Sequence, residues 1–134
     1  MNQPIWRMMD ANFNRAREGL RVCEDVLRFI RNDAPLTQQF KNARHELSKI
    51  QSKIPAKYLI EARESFLDVG KKSWIQNQKK LSYVSILIAN LKRIEESLRV
   101  LEECSKIVTP NFVRDFQALR FRIYELEKKT LTKF

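Results

Sequence analysis

The sequence predicts an all-α protein, a helical bundle with a long-short-long-short order of helices. Three observations predict it. The 134 residues contain two glycines, Gly19 and Gly70, too few for a sheet of tight hairpins. The four prolines, Pro4, Pro35, Pro55 and Pro110, are widely spaced, as punctuation between helices would be. Between them, apolar residues recur at steps of three or four, the period of a helix that buries one face.

The first helix runs from about Ile5 to Arg31. Met9, Phe13, Ala16, Leu20, Cys23, Leu27 and Ile30 form its apolar stripe. Asn32-Asp33-Ala34-Pro35 ends it and starts the next, because the residue before a proline avoids the α region. A second, weaker helix spans Leu36 to about Ser52, anchored by Phe40, Leu47 and Ile50. Residues 55–76 read as an irregular segment holding Gly70 and the basic pair Lys71-Lys72. A third helix, from about Asn77 to Val108, carries Leu81, Val84, Leu87, Leu91, Ile94, Leu98, Leu101 and Ile107. Thr109-Pro110-Asn111 stops it, and Thr109 or Asn111 is expected to cap a last helix ending near Lys129. Phe112, Phe116, Leu119, Ile123 and Leu126 are its anchors.

The two long helices resemble each other. Ala11 to Asp25 aligns without gaps on Ala89 to Glu103, Asn90 falling on Asn12, with Ala, Asn, Arg, Glu, Leu, Arg, Val and Glu identical. Arg44 and Arg120 take corresponding places in the short helices if the turn between differs by two residues. The chain thus reads as one domain over residues 1–134, built from a repeated helix-turn-helix unit (about 5–52 and 77–129). Neither hairpin buries its stripe alone, and two packed together do.

Composition removes several function classes. With so little glycine, neither a P-loop nor a Rossmann fingerprint can be present. Two cysteines, Cys23 and Cys104, and one histidine, His45, are too few for a disulfide scaffold or a zinc site. They fit free thiols in a reducing cytoplasm and a surface histidine. No secretory leader is visible at the N-terminus, and the longest near-apolar run, Tyr83 to Ala89, is too short to span a bilayer. Lysine and arginine total 26 against 16 acids, a formal charge of +10, which points to anionic partners. The motif arginines are interleaved with acids, a poor track for a nucleic-acid backbone.

Some polar residues stand where a bundle should be apolar. Asn12 lies inside the stripe, and Arg15 lies on the flank beside Gly19, Val22 and Val26. Asn90 and Arg93 repeat this beside Ser97, Val100 and Cys104. Unpaired and buried, such groups cost about 1–3 kcal/mol each. Either they bond across the bundle, or they face a shared cavity and hold an anion. Glu18, Arg21, Glu24 and Asp25 match Glu96, Arg99, Glu102 and Glu103. These are either solvated intrahelical pairs or acids that help hold Mg²⁺ beside phosphates. Gly19, in mid-helix, implies close helix approach or space for a ligand. The segment Ala62-Arg63-Glu64-Ser65-Phe66-Leu67-Asp68-Val69-Gly70 gathers an arginine, two acids and a hydroxyl, and is either a functional loop or a plain linker.

The stretch Asp10-Ala11-Asn12-Phe13-Asn14-Arg15-Ala16-Arg17-Glu18-Gly19-Leu20-Arg21-Val22-Cys23-Glu24-Asp25 resembles a signature of the form D-A-N-x-x-R-A-R-E-G-L-R-V-x-E-D. It is that of the helical domain found at the N-terminus of many bacterial thiamin-phosphate synthases. That domain is also described as a second, non-ribokinase type of hydroxymethylpyrimidine-phosphate kinase. The likeness continues through Ala62-Arg63-Glu64-Ser65, Asp68 and Gly70, then Asn90, Arg93, Glu96 and Leu98 to Glu103, and ends with Arg120 and Tyr124. The chain stops at Phe134, where a synthase barrel usually follows. A free-standing activity, or a separate synthase chain as partner, is therefore expected, and the oligomeric state stays open. The resemblance implies an enzyme that transfers a phosphoryl group from ATP to 4-amino-5-hydroxymethyl-2-methylpyrimidine phosphate, with Mg²⁺. It also leaves room for a non-catalytic module that binds a thiamin-pathway intermediate or the synthase. On this resemblance Arg15, Arg93, Arg63 and Asp68 are the expected catalytic residues. Asn12, Asn90, Arg44, Arg120, Arg21 and Arg99 are the expected phosphate and substrate ligands, and Glu18, Glu24, Glu96 and Glu102 the expected metal ligands.

Overall fold

A computed structural model describes residues 2–71 and 82–134. Those residues form an all-α fold, with no strand among them. The order is α1 (Gln3–Asp25), extended by a π-helical turn Val26–Ile30, then α2 (Ala34–Ser52), α3 (Ala56–Ala62), α4 (Tyr83–Val108), a 3₁₀ turn Pro110–Phe112, and α5 (Val113–Leu131). Lys72 and the expected helical residues from Asn77 to Leu81 lie outside the described residues.

Local chemistry sets most boundaries. Asn32 has φ 52, a left-handed conformation that asparagine tolerates better than most residues. The Asp33 side chain then caps α2, accepting from Leu36 N at 3.0 Å. Ser82 caps α4 by accepting from Ser85 N at 3.2 Å. The expected cap of the last helix is corrected: neither Thr109 nor Asn111 makes a capping bond, and the 3₁₀ turn leads straight into α5. Within the stretch expected to be irregular, Ala56–Ala62 forms the short helix α3.

The α1–α4 pair is the centre of the bundle, with α2 against α1, α5 against α4, α2 touching α5, and α3 docked on α1. The core is built from the predicted stripes: Met9, Phe13, Leu20, Phe40, Leu47, Leu87, Leu91, Ile94, Leu98, Phe116 and Ile123 are fully or almost fully buried. Of the expected anchors, Val84 and Phe112 are half-buried and two are exposed. Ile30 is 51% exposed because the π turn adds a residue and rotates the stripe away from the core. Ile107 is 60% exposed because the buried line of α4 continues through Leu101, Cys104 and Ser105 toward the half-buried Val108.

Gly19 explains how α1 and α4 come so close. A Cβ there would stand 2.8 Å from Ile94 Cγ1 and 3.3 Å from the Asn90 carbonyl oxygen. Asn12, further back on α1, shares a cavity with Ser97 and Val100, further along α4. The two helices therefore run antiparallel, and they cross with Arg15 and Arg93 on the same side.

Candidate functional site

The α1–α4 seam opens into a groove. One compartment, about 420 Å³, is lined by Asn12 and Arg15 of α1 and by Arg93, Glu96, Ser97 and Val100 of α4. A second, about 800 Å³, shares Asn12, Arg15 and Val100 with the first. It adds Arg7, Met8 and Ala11 from α1, and Glu64, Leu67, Asp68 and Val69 from the segment after α3. Five of the expected site residues thus come together: Asn12, Arg15, Arg93, Glu96 and Asp68. Arg15 and Arg93 are exposed and form no ion pair among the described residues. Two guanidiniums lining one groove are a donor set suited to phosphate oxygens.

The two asparagines are held alike. Asn12 Nδ2 donates to the Met8 carbonyl and Asn90 Nδ2 to the Ile86 carbonyl, each at 2.8 Å. This bond to the preceding turn satisfies a buried amide N–H without a cross-bundle partner. Asn90, however, lies where α4 passes Gly19 and does not line the groove. Asp68 Oδ1 accepts from Gly70 N at 2.8 Å, which fixes the carboxylate by its own backbone.

Most of the remaining expected ligands are engaged in ion pairs. Arg44 donates to both oxygens of Glu24, at 3.0 and 3.3 Å. Arg120 donates from Nε to Glu102 Oε2 at 3.2 Å, and its Nη2 lies 3.1 Å from the same oxygen in an ion pair. Glu24 and Glu102 are 5% exposed, so these pairs tie α1 to α2 and α4 to α5 from inside. Arg21 pairs with Glu24 and Asp25, and Arg99 with Glu103, on open helix surface, where such pairs contribute little. Arg63 is held by Asp10. Glu18 is exposed and lines neither compartment. Among the described residues no three histidine, cysteine or acidic side chains gather as a metal site. Glu18, Glu24, Glu96 and Glu102 therefore do not converge on one ion.

A profile of the ThiD2 family matches residues 7–129. The chain belongs to the ThiD2 family. It is similar to proteins named thiamine-phosphate synthase from three organisms. The identity is 39% for Nostoc punctiforme, over 98% of this chain and 36% of that protein. It is 38% for Thermosynechococcus vestitus, over 94% and 35%, and 35% for Rhodopirellula baltica, over 96% and 36%. This ThiD2 chain spans about a third of the length of the curated relatives it matches. No solved structure matches it.

The ThiD2 chain also places acids that sequence reasoning left unassigned. Asp10 is 3% exposed and sits next to Met9 of the buried stripe. Glu95 is 4% exposed between Ile94 and Leu98. An acid inside an apolar stripe was the available signal, since it must find a partner. Glu95 meets Glu127 of α5, with Lys92 bonding both at 3.5 and 2.9 Å. Burial, and then the Glu127 carboxyl, push Glu95 up to about 7. Glu127 goes the other way, held below its usual value chiefly by the hydrogen bond from Glu95. Burial pushes the Cys23 thiol up to about 12, so it stays a protonated, unreactive core group. No helix among the described residues is long and apolar enough to cross a membrane.

Proposed function

We propose that this chain acts in thiamin biosynthesis, phosphorylating 4-amino-5-hydroxymethyl-2-methylpyrimidine phosphate to the diphosphate at the expense of ATP. The observation that carries this reading is the groove in which Arg15 and Arg93, without ion-pair partners among the described residues, line one compartment with Asn12 and Glu96, next to a second that Asp68 lines. Phosphoryl transfer needs positioning and charge neutralisation rather than a covalent intermediate, and guanidinium forks supply both. Family membership, and relatives named thiamine-phosphate synthase, support the pathway.

In this reading Arg15 and Arg93 hold the phosphates. Asn12, whose amide N–H is committed to Met8, offers its carbonyl oxygen to a donor on the substrate. Asp68 and Glu64 in the larger compartment, and Glu96 in the smaller, are the groove acids available to Mg²⁺, which takes one or two carboxylates with phosphate and water oxygens. The ion would neutralise charge on the transferring group. Glu24, Glu102, Arg44, Arg120 and Arg63 keep the scaffold in place instead of touching ligand.

A non-catalytic module that binds a thiamin intermediate or a synthase is the second reading. It is favoured by the similarity to about a third of proteins named thiamine-phosphate synthase. A coupled assay of ADP release with the pyrimidine phosphate separates the two. Turnover that falls at least tenfold in Arg15→Ala and in Arg93→Ala supports the kinase. Ligand binding without turnover in the wild-type protein supports the module.

A further inference from the structure

Three side chains on one stripe of α1 hold the segment after α3. Gln3 Nε2 donates to the Glu61 carbonyl at 3.2 Å, and Arg7 Nη2 to the Glu64 carbonyl at 2.7 Å. Asp10 accepts from Arg63 Nε at 2.7 Å and Nη2 at 2.8 Å, one bond to each carboxylate oxygen. Asp10 is the buried member of the three. A buried carboxylate that loses its cation is strongly disfavoured, so this pair resists opening. Arg63 is the first residue past α3, in an extended conformation. Fixing its guanidinium therefore sets the path of the chain that follows.

That following chain forms one wall of the larger groove compartment, through Glu64, Leu67, Asp68 and Val69. Its surface is unusually apolar for an open segment, with Phe66 78%, Leu67 71% and Val69 101% exposed. Little packing holds it down, and the polar ties to α1 take that role. The corresponding places on α4 lack them: Ser85 stands where α1 has Arg7, and the exposed Ile88 where α1 has Asp10. The segment can thus be tied to one long helix and not to the other.

We propose that Asp10 is a positioning residue: through Arg63 it holds residues 64–69 along the groove, so that Asp68 and Glu64 line the same space as Arg15, and the carboxylate oxygen of each that does not accept from its own loop can bridge a divalent cation to phosphate bound there. The phosphate part of this inference rests on the phosphotransfer reading above; the tether does not.

Two measurements on Asp10→Asn test it. Trypsin must take the Arg63 side chain into its specificity pocket, so cleavage after Arg63 reports whether that side chain is held. Cleavage there, followed by mass spectrometry, should be at least tenfold faster in Asp10→Asn, with cleavage after Arg114 in α5 unchanged. Calorimetry with pyrophosphate gives the second readout. Mg²⁺ should strengthen binding at least tenfold in the wild-type protein. Asp10→Asn should keep the magnesium-free affinity within twofold and lose the Mg²⁺ enhancement, which general loosening would not do selectively. Arg63→Lys, which keeps the charge but not the two-point fork, should fall between. Equal Arg63 cleavage in wild type and Asp10→Asn, or an enhancement that survives Asp10→Asn, overturns the proposal. If the wild-type protein binds no pyrophosphate, the phosphotransfer reading and the cation bridge fall together, while the cleavage result still decides the tether.

Discussion

Arg120 grips Glu102 from two nitrogens, at 3.2 and 3.1 Å, in a place where neither side chain is more than 10% exposed. Arg44 grips Glu24 in the matching place between α1 and α2, with 20% of its own side chain exposed. Both bonds are inside the bundle, and removing one partner strands a charge. Arg120→Ala is therefore expected to destabilise by about 3–5 kcal/mol. Arg44→Ala should cost less, because water reaches the site. Urea unfolding at constant m-value reads both. Adding Glu102→Gln to Arg120→Ala should recover part of the loss, since the stranded charge is then gone.

Gly19 tests how tightly the central helices meet. On propensity alone, Gly19→Ala in mid-helix should gain about 1 kcal/mol. The new methyl would stand 2.8 Å from Ile94 Cγ1, a methylene one bond from the Cβ branch point, and 3.3 Å from the Asn90 carbonyl oxygen. Neither can swing away, so overpacking of about 1–3 kcal/mol offsets or exceeds the gain. The expected result is a net fall in stability, seen as a lower urea midpoint and a lower Tm. A higher Tm would show that α1 and α4 can part without cost.

The helices were legible because their stripes follow one period, and Met9 through Leu27 could be read from spacing alone. Ile30 was not, because a π turn breaks the period and nothing local in Val26–Ile30 announces it. Helix α3 was hidden by its shortness, seven residues between Pro55 and Arg63. At the site, the pattern showed which arginines share a face but not which have partners. Arg15 and Arg44 look alike in sequence. They differ because Glu24 sits against α2 while the flank of Arg15 opens on a groove. That distinction depends on which helix lies alongside, which spacing within one helix does not encode.

Glu95 gives the protein an unusual response to pH. Its carboxyl is raised to about 7 from the usual 4.5, first by burial and then by Glu127, while Lys92 opposes the shift. The folded state keeps a proton that the unfolded state has lost, so stability should fall as pH rises from about 4.5 to about 7. Glu127, held below its usual value, contributes in the opposite sense: its stabilisation is present above 4.5 and lost as pH falls through its lowered value. The two windows do not overlap. Glu95→Gln should remove the decline between pH 5 and 7 and make the protein more stable than wild type at pH 8. Urea midpoints at pH 5, 6, 7 and 8 check this, and an unchanged slope in Glu95→Gln would assign the decline elsewhere.

Arg15 and Arg93 should behave in the reverse way from the buried pairs. Neither has an ion-pair partner among the described residues, and both are exposed on the groove. Truncating such a side chain usually changes stability by less than about 0.5 kcal/mol. Bringing two like charges to one groove carries a repulsion that a bound anion relieves, so removing one of them can even stabilise the empty protein. Arg15→Ala and Arg93→Ala are thus expected to melt within a degree or two of wild type, or slightly higher. Their response to pyrophosphate in the same melting experiment should shrink sharply. Because both guanidiniums address one ligand, the double variant should lose less than the sum of the single losses. Melting that drops as far as in Arg120→Ala would mean that these arginines hold the fold. Melting and ligand response both equal to wild type would empty the groove of its assigned role.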